Sequence, residues 1–457
     1  MFINIIVKRL RNKKILLLGF GREGKSTYSF IRKHFPDMYI TVADKDREAV
    51  FPVLENDPYV NWIYGEDYLS VLEDYDVVLK SPGISLKDVP LSDTSKISSQ
   101  TDLFLQAFAP QCIGITGTKG KSTTASLLYH VLRQTKRDVL LAGNIGVPFF
   151  DIVDDIRPST KIVLELSSHQ LEYVSTSPHI SVLLNIFEEH LDHYRSFAHY
   201  GEAKFNIARR QKRNDFFIYN TVDEQILKLS KEQNIQSKSM GFSFEPNEKS
   251  VSYVRDACFY VLKEDNTEEK IAEIREDFPL KGKHNLQNVA AAIAALQCLG
   301  TDNERIEKAI YSFKGLEHRL ERVGEFGGIV FYNDSISTVP QASIAAIEAL
   351  KNVDTIILGG FDRGIDYRFF VDFLENSDIR NFIFTGEAGQ RMMKLFPTAT
   401  HKNLYFKEMY PEIVKLAKTC TQEGKICLLS PAAASYDQFK NFEHRGKKFK
   451  ELLSANQ

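Results

Sequence analysis

The sequence predicts an α/β fold of three domains, on three observations. Short apolar runs of strand length alternate along the chain with helical stretches whose apolar residues share one face. Polar residues and glycines collect where the apolar runs end, the edge at which open parallel sheets present ligand sites. Two glycine-rich loops, GFGREGKST at 19–27 and GITGTKGKSTT at 114–124, each join a strand to a helix.

The first series reads as a βαβ succession: KKILLLG (13–19), a helix with Tyr28, Ile31 and Phe35 on one face, YITVAD (39–44) and DVVLKSPG (76–83). The second opens at QCIGIT (111–116), passes through KIVLELS (161–167) and HISVLLNI (179–186), and reaches an alanine-rich helix at 285–299. A third follows GLEHRLERV and carries GGIVFYND (327–334), VDTIILGG (353–360), NFIFTG (381–386) and KICLLSP (425–431). Placing boundaries where one series stops and the next starts gives expected domains of 1–108, 109–315 and 316–457. The length of 457 residues agrees with that number, at ~150 residues per domain.

With 58 basic and 60 acidic side chains the net charge is only -2. No overall field attracts nucleic acid or an anionic membrane, so any anion binding is local. The five cysteines (Cys112, Cys258, Cys298, Cys420, Cys427) are odd in number and form no C-x-x-C pair. This argues against a disulfide framework and a thiolate metal site, and for a reducing compartment. No apolar run approaches ~20 residues, and MFINIIVKRLRNKK lacks an apolar core with a cleavage site. The expectation is a cytoplasmic monomer with no membrane insertion and no nucleic-acid partner.

From Gly19 to Ser26 the first loop fits the phosphate-loop pattern G-x-x-x-x-G-K-[ST] throughout, whereas the second has Ile115 where that pattern wants glycine. Their surroundings reverse the ranking. In the second loop Gly114, Gly117 and Gly120 let the backbone curl and turn its N–H groups toward phosphate oxygens, with Thr118, Lys119 and Thr123 in the same cradle. Lys121 can reach the β and γ oxygens of ATP, Ser122 can ligate Mg²⁺, and Glu165 ends a following strand with a carboxylate for the same ion. The helix behind it presents Leu127, Leu128, Val131 and Leu132 on one face.

The first loop is also G-x-G-x-x-G, and Asp44 ends the next strand about 20 residues later, where a ribose hydroxyl would be met. Such a loop suits a diphosphate. No acidic metal ligand follows it; the third strand ends in Lys80-Ser-Pro-Gly83. A tight turn without a ligand is the bland alternative.

The chain resembles the Mur ligase family, ATP-dependent amino-acid ligases of peptidoglycan synthesis. The resemblance rests on TGTKGKST, ELSSHQLE (165–172), NIFEEHLDHY (185–194) with EAK (202–204), GKHNLQNVAAA (282–292), LEHR (316–319), YNDS (332–335) and SPAAASYDQFKNFEHRG (430–446), in the family's order across nearly the whole chain. The last segment is most similar to the branch that adds glutamate to UDP-N-acetylmuramoyl-L-alanine. The family's fold implies an N-terminal Rossmann-like sheet that holds the sugar nucleotide, a central P-loop ATPase-type domain and a C-terminal Rossmann-like domain for the amino acid. ATP is therefore expected at the second loop.

Carried over by position, the resemblance implies Lys121, Ser122 and Glu165 for ATP and a first Mg²⁺, with Asn285, Asn288, Arg319 and Asp334 also on the nucleotide. It implies His190 at a second Mg²⁺ and a carbamate on Lys204, making Lys121, His190 and Lys204 the catalytic set. Taken alone, Lys204 reads as a solvated helix lysine, and His169, His190 and His193 as satisfied loop histidines. For the sugar nucleotide it implies Gly21, Arg22, Glu23, Asp44, Lys45 and Gly83 around the uridine diphosphate, and Gly143, Asn144 and Gly146 beside the alanyl end. For glutamate it implies Thr338, Arg363, Ser435, Tyr436 and Phe442 together with His190. An acyl phosphate must be kept from water, so closure of three domains over the substrates is expected.

Two segments depart from the family's D-glutamate enzymes. DSISTV (334–339) stands where they carry D-S-K-A-T-N, and GGFDRG (359–364) where they carry a glycine-aspartate-glycine-lysine run, so Ile336 and Arg363 replace lysines. Arginine grips a carboxylate with two parallel bonds where lysine offers a point charge. D-glutamate is the family's default and L-glutamate the alternative. More remote readings are a folylpolyglutamate-type ligase, an NAD-dependent oxidoreductase built on GFGREG and Asp44, and a nonenzymatic P-loop regulator. The oxidoreductase leaves the second loop and Lys204 without a role.

Overall fold

The computed structural model describes residues 3–47, 57–145 and 147–455. It contains three sheets, one for each strand–helix series. The chain divides into two compact units, Met1–Asp277 with His284–Ser312, and Phe278–Lys283 with Phe313–Gln457. The first two sheets lie together in the first unit.

In the first sheet β1 (Ile15–Leu18), β2 (Ile40–Asp44), β3 (Val60–Tyr64), β4 (Val77–Lys80) and β5 (Ile97–Ser98) run parallel in the order β3-β2-β1-β4-β5. The chain leaves β1 first to one side and later to the other. The loop after β1 therefore sits between the carboxyl ends of β2, at Asp44, and β4, at Lys80.

The second sheet has β6 (Cys112–Thr116), β7 (Val139–Gly143), β8 (Lys161–Glu165), β9 (Ile180–Leu183), β10 (Phe216–Asn220), β11 (Lys238–Phe242), β12 (Ser250–Arg255), β13 (Cys258–Leu262) and β14 (Glu268–Glu273). Their order is β14-β13-β12-β11-β10-β9-β6-β8-β7, antiparallel only among the last three in sequence. Because β6 lies between β8 and β9, the loop after β6 is flanked by Glu165 on one side and the Leu184–Asn185 turn on the other.

In the second unit β15 (Glu321–Phe326), β16 (Ile329–Asn333), β17 (Val353–Gly359), β18 (Asn381–Thr385), β19 (Asn403–Phe406) and β20 (Ile426–Leu429) form the sheet β15-β16-β20-β17-β18-β19, parallel except for β15. The last strand inserts between β16 and β17. This brings Asp334 beside Ser430.

Every strand expected from periodicity is present, shortened by one to four residues at its polar ends. Strands β3, β5, β7, β10–β15 and β19 were not foreseen, because their apolar residues alternate weakly or occur in runs too short to separate from helix. The helix Arg22–His34 buries Ile31 and half-buries Tyr28, but Phe35 stands outside it as a cap with extended φ of -142°. After the second loop, Leu127, Leu128, Val131 and Leu132 are all buried as expected.

One continuous apolar core explains why the first two sheets form one unit. It runs from Ile6, Leu17 and Phe30 through Phe104 and Phe108 of the helix Gln100–Phe108 to Phe149, Leu164 and Phe205. The Phe30 ring lies 4.3 Å from Phe150, and Phe104 lies 5.2 Å from Phe149.

The first loop is packed as a dinucleotide-type turn, not as a triphosphate loop. Its helix starts at Arg22, so Gly24, Lys25 and Ser26 are already inside the first turns. A Cβ on Gly24 would lie 2.2 Å from the Gly19 carbonyl oxygen, so only glycine lets helix and strand approach this closely. The cost of Gly24→Ala is expected to be about 1–3 kcal/mol, the usual price of overpacking, despite alanine's helix preference of up to ~1 kcal/mol. Urea unfolding measures it, and an unchanged midpoint would contradict this packing.

Candidate functional site

The helix Lys121–Gln134 begins immediately after Gly120, so in the second loop the Lys-Ser pair opens the helix and the N–H groups of its first turn adjoin the loop. Gly120 has φ +89°, and a Cβ there would lie 2.3 Å from Asn288 Oδ1. The loop is therefore closed from above by Asn288, whose amide donates to Asn285 Oδ1 at 3.3 Å on the helix Lys283–Cys298. Asn288 and, through it, Asn285 are thus brought to the loop that carries Gly117, Thr118, Lys119, Gly120, Lys121, Ser122 and Thr123.

A bracket that was not foreseen holds the loop's shape. Asn185 accepts from Lys119 N at 2.8 Å and donates to the Lys119 carbonyl at 3.1 Å. Thr118 Oγ1 lies 2.9 Å from the Tyr200 hydroxyl and accepts from Phe187 N at 2.9 Å, and Lys119 pairs with Glu189 at 2.7 Å. The available signal was a polar side chain directly following an apolar strand in NIFEEHLDHY.

Two ammonium groups share one acceptor. Lys121 Nζ donates to the Gly117 carbonyl at 2.9 Å and to the Thr118 carbonyl at 3.0 Å, and Lys204 Nζ donates to the same Gly117 carbonyl at 2.9 Å. Lys204, on the helix Phe197–Arg209, is 2% exposed and lies over the Tyr200 ring. Burial, and then the charge of Lys121, pushes its ammonium well below the ordinary lysine range. The solvated-lysine reading of this residue is therefore overturned.

Glu165 closes the other side. Its Oε1 accepts from the Asn144 amide at 2.8 Å, and the Asn144 backbone N–H donates to the Glu165 carbonyl at 2.9 Å. Oε2 is buried with no hydrogen-bond partner among the described residues. A buried carboxylate oxygen without a donor is costly, and a cation or its water is the chemistry that satisfies it. Gly143 and Asn144 are thus tied to Glu165, while Gly146 lies outside the described residues.

His190 adopts a left-handed φ of 60°, and its ring lies 6.1 Å from Tyr200 and 4.8 Å from His169. Burial lowers its pKa, opposed by Glu189 and reinforced by Lys204 and Lys121. His193 is satisfied by Glu172 at 3.2 Å. His169 is not: its Nε2 is buried without a partner among the described residues, and burial with the neighbouring histidines pushes its pKa down to about 3. No group of three or more His, Cys, Asp or Glu poised for a metal exists among the described residues.

At the first loop, Ser26 is 7% exposed, donates to Asp151 at 2.6 Å and accepts from Gln100 at 3.0 Å. The hydroxyl that the phosphate-loop pattern assigns to a metal is committed elsewhere. Asp44 Oδ2 accepts from Phe20 N at 2.6 Å, Glu23 accepts from Gln170 at 2.6 Å, and Lys45 pairs with Glu66 at 3.0 Å on the surface. Gly21, Arg22 and Gly83 are exposed around this crevice.

In the second unit, Arg363 Nη2 donates to the Thr338 carbonyl at 2.9 Å. Ser435 is buried, Tyr436 is 67% exposed with its ring 6.4 Å from Phe361, and half-buried Phe442 opens the last helix. Arg319 sits between two residues with left-handed backbone, His318 (φ 63°) and Leu320 (φ 44°), a local strain of the kind found at functional sites. Arg445, which sequence reading passed over, is 1% exposed and bonds Ser335 Oγ, the Ser335 carbonyl and the Ala433 and Ala434 carbonyls. It clamps the YNDS and SPAAAS segments together; within the charged run NFEHRGKK nothing along the chain marks it as buried.

Asp334 is buried and accepts from Ser337 at 2.5 Å, Ser430 at 2.8 Å and Leu320 N at 3.0 Å.

Similarity to known proteins agrees with this arrangement. Residues 115–296 match the family model described as Mur ligase middle domain. The chain is 34% identical over 450 residues to UDP-N-acetylmuramoylalanine--D-glutamate ligase of Oenococcus oeni, covering 97% of each chain. It is 31% identical to the enzyme of that name from Acetivibrio thermocellus, covering 99% of this chain and 98% of the relative. Among solved structures it resembles the MurF ligase of Thermotoga maritima in complex with ADP, at a TM-score of 0.59 and 18% identity over 98% of this chain and 97% of that one. It also resembles the UDP-N-acetylmuramate-alanine ligase MurC of the same organism, at 0.58 and 20% identity over 98% and 100%. These two likenesses concern the fold.

Burial raises the Asp334 carboxyl to about 6, despite its hydrogen bonds. A raised folded value means that the folded chain holds this proton where the unfolded chain has lost it. The group's stabilising contribution is full below the ordinary carboxylate range and is lost as pH rises through about 6. Relative to Asp334→Asn, the wild-type unfolding free energy is expected to fall by about 3 kcal/mol between about pH 4 and about pH 7. Urea titrations of both proteins check this, and a pH-independent difference contradicts it.

Proposed function

The chain belongs to the Mur ligase family, and from that premise we propose that it joins D-glutamate to UDP-N-acetylmuramoyl-L-alanine, with cleavage of ATP to ADP and phosphate. The observation that carries this reading is the pair of lysine side chains on the Gly117 carbonyl, at the end of a strand whose neighbour ends in Glu165, a buried carboxylate with one oxygen that lacks a donor among the described residues. Relatives that match over nearly the whole chain bear the name of this activity.

A carboxylate resists amines, because its delocalised anion repels a nucleophile and offers no leaving group. Transfer of the γ-phosphoryl group to the alanyl carboxylate removes both obstacles and yields an acyl phosphate. The amine of glutamate, once deprotonated, then adds to the acyl carbon, and phosphate leaves from the tetrahedral intermediate. Lys121 and the N–H groups of its helix would balance the charge of the β and γ phosphates. Asn285, Asn288, Arg319 and Asp334 complete the proposed nucleotide set. Gly21, Arg22, Glu23, Asp44, Lys45 and Gly83 are proposed for the uridine diphosphate, Gly143, Asn144 and Gly146 for the alanyl end, and Thr338, Arg363, Ser435, Tyr436 and Phe442 for glutamate.

The residues present fit Mg²⁺. Glu165 and Ser122 would hold one ion, and His190 with a modified Lys204 a second; bound there, the metal supplies Lewis-acid stabilisation of the phosphoryl oxygens. Burial and the charge of Lys121 shift Lys204 toward its neutral amine, the form that adds to carbon dioxide to give a carbamate and a proton. This would replace a buried cation with an anion. Protein equilibrated with isotopically labelled bicarbonate is expected to show a carbamate carbon resonance that Lys204→Arg lacks; identical spectra would remove the modification. The domain limits near residues 108 and 315 stand as part of the same proposal.

The deciding assay combines protein, ATP, Mg²⁺ and UDP-N-acetylmuramoyl-L-alanine with D- or L-glutamate, and reads phosphate release and product mass. Product is expected with the D enantiomer; preference for the L enantiomer would overturn the stereochemistry, and independence from the sugar nucleotide would overturn the activity. Lys121→Ala is expected to lower turnover at least roughly a thousandfold. Lys25→Ala is expected mainly to raise the sugar-nucleotide KM, by roughly tenfold, the worth of one charge-assisted bond. The opposite pattern would reassign the two loops.

A further inference from the structure

Two polar routes within the first unit tie the first glycine loop to the neighbourhood of Glu165 and His190. The shorter runs from Glu23, whose Oε1 accepts from Gln170 Nε2 at 2.6 Å. Gln170 belongs to the helix Ser168–Leu171 and closes a capping box with Ser167, two residues beyond Glu165.

The longer route starts at Lys80, the last residue of β4, which lies beside Leu18 just before the loop. Lys80 is fully enclosed, and its ammonium lies 3.3 Å from Glu172 Oε2. The same oxygen is 3.2 Å from His193 Nε2. The N–H groups of His193 and Tyr194 donate to the His190 carbonyl at 3.0 and 3.1 Å, so this turn fixes His190's unusual backbone.

The segment after β4 grips the same turn a second time. Ser85 Oγ donates to the His193 carbonyl at 2.8 Å, Lys87 bonds the Asp192 carbonyl, and Arg195 Nε donates to the Lys87 carbonyl at 2.8 Å. On its other side this segment walls the first loop, with Ser81 Oγ donating to the Gly19 carbonyl at 3.0 Å.

A buried ion pair is poor value as a source of stability, since apolar side chains of similar size serve as well; its directional bonds instead hold two elements in one register. We propose that Lys80, Glu172 and His193 form a positioning relay through which occupation of the first loop by the sugar nucleotide places His190 for ATP, and the reverse. Lys80, Glu172 and His193 are positioning residues, each acting through the turn that carries His190. The inference rests on the ligase reading of the two loops. By thermodynamic linkage the effect is reciprocal, each ligand raising the other's affinity by one factor.

Calorimetry measures that factor, with Mg²⁺ and a nonhydrolysable ATP analogue titrated into the full chain with and without saturating UDP-N-acetylmuramoyl-L-alanine. The wild type is expected to bind the analogue roughly 5- to 150-fold more tightly with the sugar nucleotide present. In Glu172→Gln and Lys80→Met this ratio is expected to fall to within about threefold of one, with each ligand's separate affinity changed less than about threefold. A purely structural role would weaken both separate affinities and leave the ratio intact. Should those variants fail to fold, Ser85→Ala and the apolar pair Lys80→Met with Glu172→Met carry the test. A wild-type ratio of one, or an intact ratio in the folded variants, overturns the relay. Failure of both ligands to bind, separately and together, overturns the ligase reading, and the relay with it.

Discussion

One carbonyl oxygen organises the candidate site. Gly117 O receives both Lys121 and Lys204 at 2.9 Å, setting a buried lysine and a half-buried one against a single acceptor. Such a pair is stable only if one lysine gives up its charge or an anion joins it. Lys204, enclosed and next to Lys121, is the one pushed toward neutrality. The loop's shape, the bracket from Asn185 and the close approach of Asn288 all serve to hold that carbonyl in position.

The two glycine loops show how burial assigns chemistry that a pattern leaves open. Both carry Gly-Lys-Ser-Thr. In one, the helix starts at the lysine, and the N–H groups of its first turn adjoin the loop. In the other it starts three residues earlier, and the serine is sealed against Asp151 and Gln100. A phosphate loop is thus a matter of where the helix begins and what the hydroxyl touches, more than of spacing.

The first two sheets share a core through the helix Gln100–Phe108 and the aromatic cluster of Phe30, Phe104, Phe149 and Phe150. The two glycine loops are therefore joined by packed side chains as well as by the polar contacts of Glu23 and Lys80. In the second unit, Arg445 plays a comparable part, joining with main-chain bonds the two segments that carry Asp334 and Ser435.

Much was legible in advance. The parallel strands, the three series and the second loop's association with Glu165 follow from apolar periodicity and from where polar residues interrupt it, because those patterns are local. The sequence by itself determined the strand, glycine loop and helix at 112–134, an acidic residue ending a following strand, and an ordered set of family motifs. Only the tertiary structure decided that Lys204 is buried against Gly117, that Ser26 is sealed away, that His169 lacks a partner, and that Lys80 meets Glu172. Each of these depends on which distant segments pack together, and desolvation, unlike periodicity, is set by neighbours in space and leaves no mark along the chain.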